Sequence, residues 1–380
     1  MTSRTAAPLD LAAVERVLRP YQEALTLPPA AYASPEVFDW EIEHFFEGSW
    51  MCIGRVADLG VASPGDQVAV QVGRQSFLLV RGDDGAVRAF HNICRHRGHE
   101  LLQVGEQRTQ RGIKCPYHAW VFGLDGDCRA TPRFDMEGFD KSEWPLMGAR
   151  LEEWHGWLFL NASGDAGSFE EQLGNLEVVI DGYRPEDLRL GARHEYELAA
   201  NWKIVVENYH ECLHCPTVHP ELVRIMPLYR TGEVEEEGQT LGNSMGELTS
   251  FTASGLSSLP PLPGLDDVDR HTFYGVYVFP NLILNYHSET VNTVTIHPLG
   301  PDRTRVVSEF LFHPATVVAD GFDPSDVLGF RDLVAQQDWE VCERAQAGVR
   351  SRYYTNGWYP RQERWIAAFN ERYLAAREDA

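Results

Sequence analysis

The sequence predicts an α+β protein of two domains, on three observations. Between about residues 43 and 160, short valine-rich runs such as QVAVQVGRQSFLLVRG alternate with turn residues, the pattern of antiparallel strands. Late in the chain, the stretches from Ser325 to Gly348 and from Pro360 to Ala376 repeat apolar residues every three or four positions, which is the period of a helix. At 380 residues the chain also exceeds the usual size of a single domain.

Taken in order, residues 1 to about 42 form an arm expected to pack on the second domain. The arm carries a short amphipathic helix from Leu9 to Leu18 and a connection rich in Pro and Ala. Residues 43–160 make the antiparallel domain and residues 161–380 the second one, which mixes strands such as those between Val276 and Pro301 with the two late helices. Within it, residues 201–214 hold no Gly or Pro and read as helical, while Pro216 and Pro220 argue against continuation past Cys215.

Composition narrows the function. With 43% hydrophobic and 11% aromatic residues the chain can bury an ordinary core. A net charge of −23 and a pI near 5.0 repel a phosphate backbone, which excludes nucleic acid as a partner. The amino terminus has no continuous apolar stretch, so neither an export signal nor a membrane span is expected, and the protein is predicted to be cytoplasmic. Seven cysteines, an odd number thinly spread, argue for reduced thiols and metal ligands over a disulfide framework.

The chemistry is concentrated in two short motifs. Cys94-Arg95-His96 and Cys115-Pro116-Tyr117-His118 are separated by 18 residues. Two thiolates and two imidazoles can hold a [2Fe-2S] cluster, with sulfur ligands on one iron and nitrogen on the other, the Rieske arrangement. The same four groups would satisfy a structural zinc ion. Zinc fingers usually pair cysteine with cysteine and histidine with histidine, whereas here each pair is mixed, as two loops clamping a cluster require. Arg97-Gly98 and Phe122-Gly123-Leu124-Asp125-Gly126 supply the turns.

The stretches HNICRHRGH and KCPYHAW, beginning at His91 and Lys114, closely resemble the Rieske domain of ring-hydroxylating and related non-haem iron oxygenases. A second segment, NWKIVVENYHECLHCPTVHPEL from Asn201 to Leu222, contains Glu211, His214 and His219. Two imidazoles and a carboxylate form the facial set that binds ferrous iron and leaves positions open for oxygen. The family motif is acid-x-x-His-x4-His, and the resemblance implies that Glu211 links the two metal centres while His214 and His219 bind iron. It takes the third ligand from a late helix, where Asp338 matches, although Asp332, Glu340 and Glu343 lie on the same helix.

The resemblance further implies a curved antiparallel sheet gripping a long carboxy-terminal helix, the helix-grip fold. It implies O2 as co-substrate, electrons from NAD(P)H through a separate flavin or iron-sulfur reductase or a ferredoxin, and a homotrimer passing electrons between subunits. The ENYHECLHCPTVHP context is most like choline, carnitine and glycine betaine monooxygenases, so the expected substrate is a quaternary ammonium compound. Tyr209, Tyr277, Phe279, Tyr286 and Trp339 are the candidate rings for cation-π contact. Alternatives are a hydroxylase of an aromatic acid or secondary-metabolite scaffold, or a Rieske electron carrier or redox sensor without oxygenase activity. Cys212-x2-Cys215 could also be a redox or zinc pair.

Overall fold

The computed structural model describes residues 6–174, 176, 181–234, 236–237 and 240–375. It forms two compact units, Ile42–Gln172 and Met1–Glu41 with Leu173–Ala380. The first unit therefore runs beyond the expected boundary near 160. Gln172 explains the extension: its amide accepts from the Trp50 N–H at 3.0 Å and donates to the Trp50 carbonyl at 2.8 Å. The Trp50 indole in turn donates to the Gly167 carbonyl and meets the Phe169 ring edge-on.

The first unit holds ten strands: β1 (Met51–Arg55), β2 (Asp66–Val72), β3 (Gln75–Arg81), β4 (Val87–His91), β5 (Gln107–Thr109), β6 (Ile113–Lys114), β7 (Val121–Phe122), β8 (Cys128–Ala130), β9 (Gly148–Trp154) and β10 (Trp157–Asn161). Seven make one antiparallel sheet in the order β1-β10-β9-β4-β3-β2-β5, and β6-β7-β8 make a small second sheet. The two cysteine-histidine motifs sit in the loops after β4 and after β6.

In the second unit, β11 (Arg189–Leu198), β12 (Glu236–Glu237), β13 (Thr240–Ser244), β14 (Thr272–Val278), β15 (Leu282–Tyr286), β16 (Val291–Gly300) and β17 (Arg303–Phe312) form an antiparallel sheet ordered β11-β17-β16-β15-β14-β13-β12. Its helices include α1 (Leu11–Val17), α2 (Pro35–Glu41), α3 (Trp202–Tyr209), α4 (Cys215–Val218), α5 (Pro220–Ile225), α6 (Ser325–Val349) and α7 (Arg364–Ala375). The long helix α6 lies against the sheet: Tyr196 of β11 donates to Asp332 at 2.6 Å and Arg331 donates to Asn292 of β16 at 2.8 Å. This is the helix-grip arrangement. Among the described residues no helix is long and apolar enough to cross a membrane.

The expected helix over 201–214 is shorter, covering Trp202–Tyr209. Asn201 caps it by accepting from the Lys203 N–H at 2.9 Å. After His210 the chain turns. Glu211 and His214 thus lie in a turn, not along one helix face, and Pro216 and Pro220 sit in the first turns of the next two short helices, where a missing N–H costs nothing. The turn is closed by a Cys212–Cys215 disulfide, which corrects the expectation of reduced thiols at these two positions. Their Cα atoms lie 5.0 Å apart, within reach of such a bond. The other five cysteines are buried and lie outside any disulfide.

The arm belongs to the second unit, and its last helical residue is an organising point. The Glu41 carboxylate is fully buried and accepts from the Trp202 indole at 2.8 Å, the Tyr373 hydroxyl at 2.7 Å and the buried Lys203 ammonium, tying α2 to α3 and α7. Burial pushes the Lys203 pKa down and Glu41 opposes it. Truncating one partner of a buried pair strands the other charge, so Glu41→Ala is expected to lose roughly 3–5 kcal/mol of stability. Chemical denaturation measures this, and the double variant with Lys203→Met should recover much of the loss.

Candidate metal centres

The two cysteine-histidine loops of the first unit are built alike. The Cys94 N–H donates to the His99 carbonyl and the Cys115 N–H to the Trp120 carbonyl, both at 2.8 Å. Each cysteine carbonyl accepts from the residue four positions on, Gly98 or Ala119, and both of these have φ above +60°. The repeated turn places Cys94 and Cys115 in the core, 3% and 1% exposed, and leaves His96 and His118 half-buried, their rings 4.6 Å apart. Trp120 stacks on His96 at 5.0 Å.

These four groups fit a [2Fe-2S] cluster. Burial raises the Cys94 thiol to about 11, and the adjacent Cys115 thiol adds to the rise. A thiol raised in this way holds its anionic form poorly without a metal. His96 Nδ1 is buried and makes no hydrogen bond within the protein. An unpartnered imidazole nitrogen beside paired thiols is the donor set of a Rieske centre.

The second centre gathers three residues from separate elements: His214 at the start of α4, His219 between α4 and α5, and Asp338 on α6. His214 Nε2 lies 3.2 Å from His219 Nε2 and 3.3 Å from Asp338 Oδ1, and His219 Nε2 lies 2.9 Å from the same oxygen. Three ligands on one face of an octahedron, each about 2.1 Å from a metal, would be roughly 3.0 Å apart. The trio fits a ferrous ion without rearrangement.

Both rings are held from behind. Glu211 Oε1 lies 2.5 Å from His214 Nδ1 while its Oε2 accepts from the His214 backbone N–H at 3.1 Å. His219 Nδ1 lies 2.8 Å from Gln337 Oε1, and Gln337 donates to Glu221. Such partners set the tautomer and turn both Nε2 atoms toward the shared point. Glu363, which sequence reasoning missed, sits close by; burial and the charges of Glu211 and Glu207 raise it to about 7.

Burial alone would lower the His214 pKa, but the hydrogen bonds and charges of Asp338 and Glu211 overcome it and raise the imidazole to about 9. In iron-free protein this proton stabilises the fold. Because the folded pKa exceeds the ordinary 6.5, the contribution is complete below about pH 6.5 and disappears as pH rises through about 9. The shift corresponds to stability on the order of 3 kcal/mol. The melting temperature of iron-depleted protein should therefore fall between pH 6.5 and 9.5, and ferrous iron should remove that dependence by displacing the proton. A flat profile in the depleted protein would contradict this.

A cavity of about 160 Å³ opens beside the trio. This is near the roughly 150 Å³ that accommodates a benzene molecule. Strand alternation supplies one wall: Ile283 and Asn285, Asn292 and Val294, and Ser308 and Phe310 all point into it from β15, β16 and β17. Helix α6 supplies another through Arg331, Val334, Ala335, Asp338 and Trp339, one helical face. Of the five rings expected at a substrate cation, Tyr209 and Trp339 line this cavity. Tyr277 faces a separate pocket, and Phe279 and Tyr286 are buried in the core. Tyr196, Tyr229, Phe251 and Phe273 line the cavity unforeseen, since their places depend on long-range packing.

A helix-grip sheet holding two imidazoles and a carboxylate, in a chain that also carries a Rieske-type loop pair, defines a non-haem iron oxygenase. Residues 49–139 match the Rieske [2Fe-2S] domain family and residues 185–378 the ring hydroxylating alpha subunit (catalytic domain) family. The chain is 32% identical over 336 residues to the carnitine monooxygenase oxygenase subunit of Escherichia coli (strain K12), covering 88% of this chain and 86% of that protein. It is 27% identical to the glycine betaine monooxygenase oxygenase subunit of Chromohalobacter salexigens, over 91% and 84% of the two chains. The crystal structure of a quaternary ammonium Rieske monooxygenase superposes with a TM-score of 0.79 at 26% identity, over 98% of this chain and 100% of that one. The chain belongs to the Rieske non-haem iron oxygenases, as a ring-hydroxylating alpha subunit.

It is accordingly an oxidoreductase that uses O2, a Rieske [2Fe-2S] cluster and a mononuclear iron, acts on a small molecule, and draws NAD(P)H electrons through a separate reductase.

Proposed function

We propose that this oxygenase hydroxylates a carbon attached to the nitrogen of a small quaternary ammonium compound. In this reading Cys94, His96, Cys115 and His118 hold the cluster, and His214, His219 and Asp338 hold the iron. The observation that carries the substrate class is the 32% identity to a carnitine monooxygenase subunit over most of both chains. The ring-lined cavity at the iron trio supports it, since aromatic faces attract a cation that cannot donate hydrogen bonds.

The metals supply the oxygen activation, in which O2, two electrons from the reductase, two protons and a C–H bond give C–OH and water. The protein's own groups do the rest. Glu211 and Gln337 orient the imidazoles, Val334, Val294 and Ile283 keep the cavity wall apolar, and Trp339 covers the side of α6 next to Asp338. Glu211 is also the proposed link to His118 of a neighbouring copy in a homotrimer acting in the cytoplasm. Both of its oxygens already accept one bond each within the chain, and each retains a further lone pair.

Single turnover of chemically reduced protein with O2 tests the reading without a partner reductase. Quaternary ammonium compounds should give formaldehyde, or another aldehyde, plus a smaller amine. Conversion of aromatic acids alone would replace this substrate class.

A further inference from the structure

The cavity contains a cation that the fold does not neutralise. Arg331 projects from α6 two turns before Asp338, roughly 10 Å along the helix axis. Its Nη2 donates to Asn292 Oδ1 at 2.8 Å and its guanidinium carbon lies 5.5 Å from the Phe251 ring centre. Among the described residues no carboxylate lies within ion-pairing distance. Lys203, a fully buried cation of the same unit, has Glu41.

The surrounding groups are occupied elsewhere. Asn292 Oδ1 also accepts from Asn285 at 3.2 Å, while its amide donates to Ser308 and to the Glu309 carbonyl. Asn285 in turn accepts from the Tyr209 hydroxyl at 3.0 Å. Of the charges that act on Arg331, Asp338 is engaged with the imidazole pair, and Tyr196, Tyr209 and Tyr229 are neutral phenols. The buried Glu289 carboxylate accepts from Ser250, and His287 lies between Phe251 and Phe273. A guanidinium carries five N–H donors, and one is used here. An unpaired charge in such a place is costly, and a planar fork is shaped for a carboxylate.

We propose that Arg331 anchors a carboxylate of the substrate. Resting on the reading of this cavity as the quaternary ammonium site, the substrate is then a small zwitterion: its carboxylate lies toward Arg331 and Asn292, and the carbon to be oxidised lies toward Asp338. A cation without an anionic group would meet an uncompensated guanidinium, so choline is disfavoured. An amino-acid-derived betaine or a longer carboxylate of the same kind is accepted.

The test is anaerobic binding by calorimetry to iron-loaded protein, which is independent of turnover. The probes are glycine betaine and 4-trimethylammoniobutanoate, each against its alcohol counterpart, with benzoate against benzyl alcohol. Wild type should prefer at least one carboxylate over its alcohol. Arg331→Gln should weaken that carboxylate by roughly tenfold to a hundredfold while tightening the binding of choline. Asn292→Asp, which supplies an internal carboxylate to the guanidinium, should erase the preference in protein whose cluster absorbance shows it to be folded. No preference in wild type, or the same preference in both variants, would overturn the anchor. Benzoate bound through Arg331 with no betaine bound would retain the anchor and remove the quaternary ammonium reading.

Discussion

Asp338→Ala is expected to yield a protein with normal cluster absorbance, one iron fewer per chain and no measurable oxygenation. Asp338 is the single anion of the trio, its Oδ1 lying 2.9 and 3.3 Å from the two imidazole nitrogens. Removing it leaves two neutral donors, a poor set for a hard ferrous ion that favours mixed nitrogen and oxygen ligation. Loss of an outer partner typically costs 10–100-fold in metal affinity, and loss of a direct ligand should exceed about 100-fold. The cluster should survive, because Asp338 lies in the other folding unit. Metal analysis, the visible spectrum and single-turnover yield together check the prediction. An Asp338→Ala protein that retains its iron and turns over would remove this residue from the ligand set.

Glu211→Gln separates orientation from electron delivery. A glutamine keeps one oxygen to accept from His214 Nδ1, the contact that orients the ring, and gives up only the second acceptor, which receives the His214 backbone N–H. Both metals should therefore remain. What disappears is the negative charge that favours a proton on His214 and, in the proposed assembly, the charged link to His118 of the neighbouring copy. Turnover driven by the reductase is expected to fall by about 10–100-fold, the usual effect of an outer partner. Rapid-mixing oxidation of the reduced cluster should slow in parallel while iron content stays constant. A fall in iron content equal to the fall in rate would reduce Glu211 to an orienting group, and near-normal coupled turnover would exclude the link altogether.

The structure also explains how one acid is selected from several on α6. Asp332 accepts from the Tyr196 hydroxyl, Glu343 accepts from the Ala199 N–H, and Glu340 pairs with Arg344 at the surface. Asp338 alone of the four reaches the histidines. In the sequence all four are carboxylates on one helix, and periodicity does not rank them. Family resemblance pointed to Asp338, and the packing of α6 against the turn after α3 brings it to His214 and His219. Arg331 had a local signal that went unread: it lies seven residues before Asp338, on the same face.

By itself the sequence determined what depends on neighbours along the chain. The Cys-x-His and Cys-x2-His loops, the His214-x4-His219 spacing and the helical period from Ser325 onward are set by covalent distance and backbone geometry, so they are legible residue by residue. Tertiary structure decided the early end of α3, the Cys212–Cys215 bond, the rings that line the cavity, the pairing of Lys203 and the absence of a carboxylate partner for Arg331 among the described residues. The last three of these depend on groups far apart in sequence meeting across a sheet and a helix, where burial and the demand that buried charges find partners select one contact from many that local pattern allows.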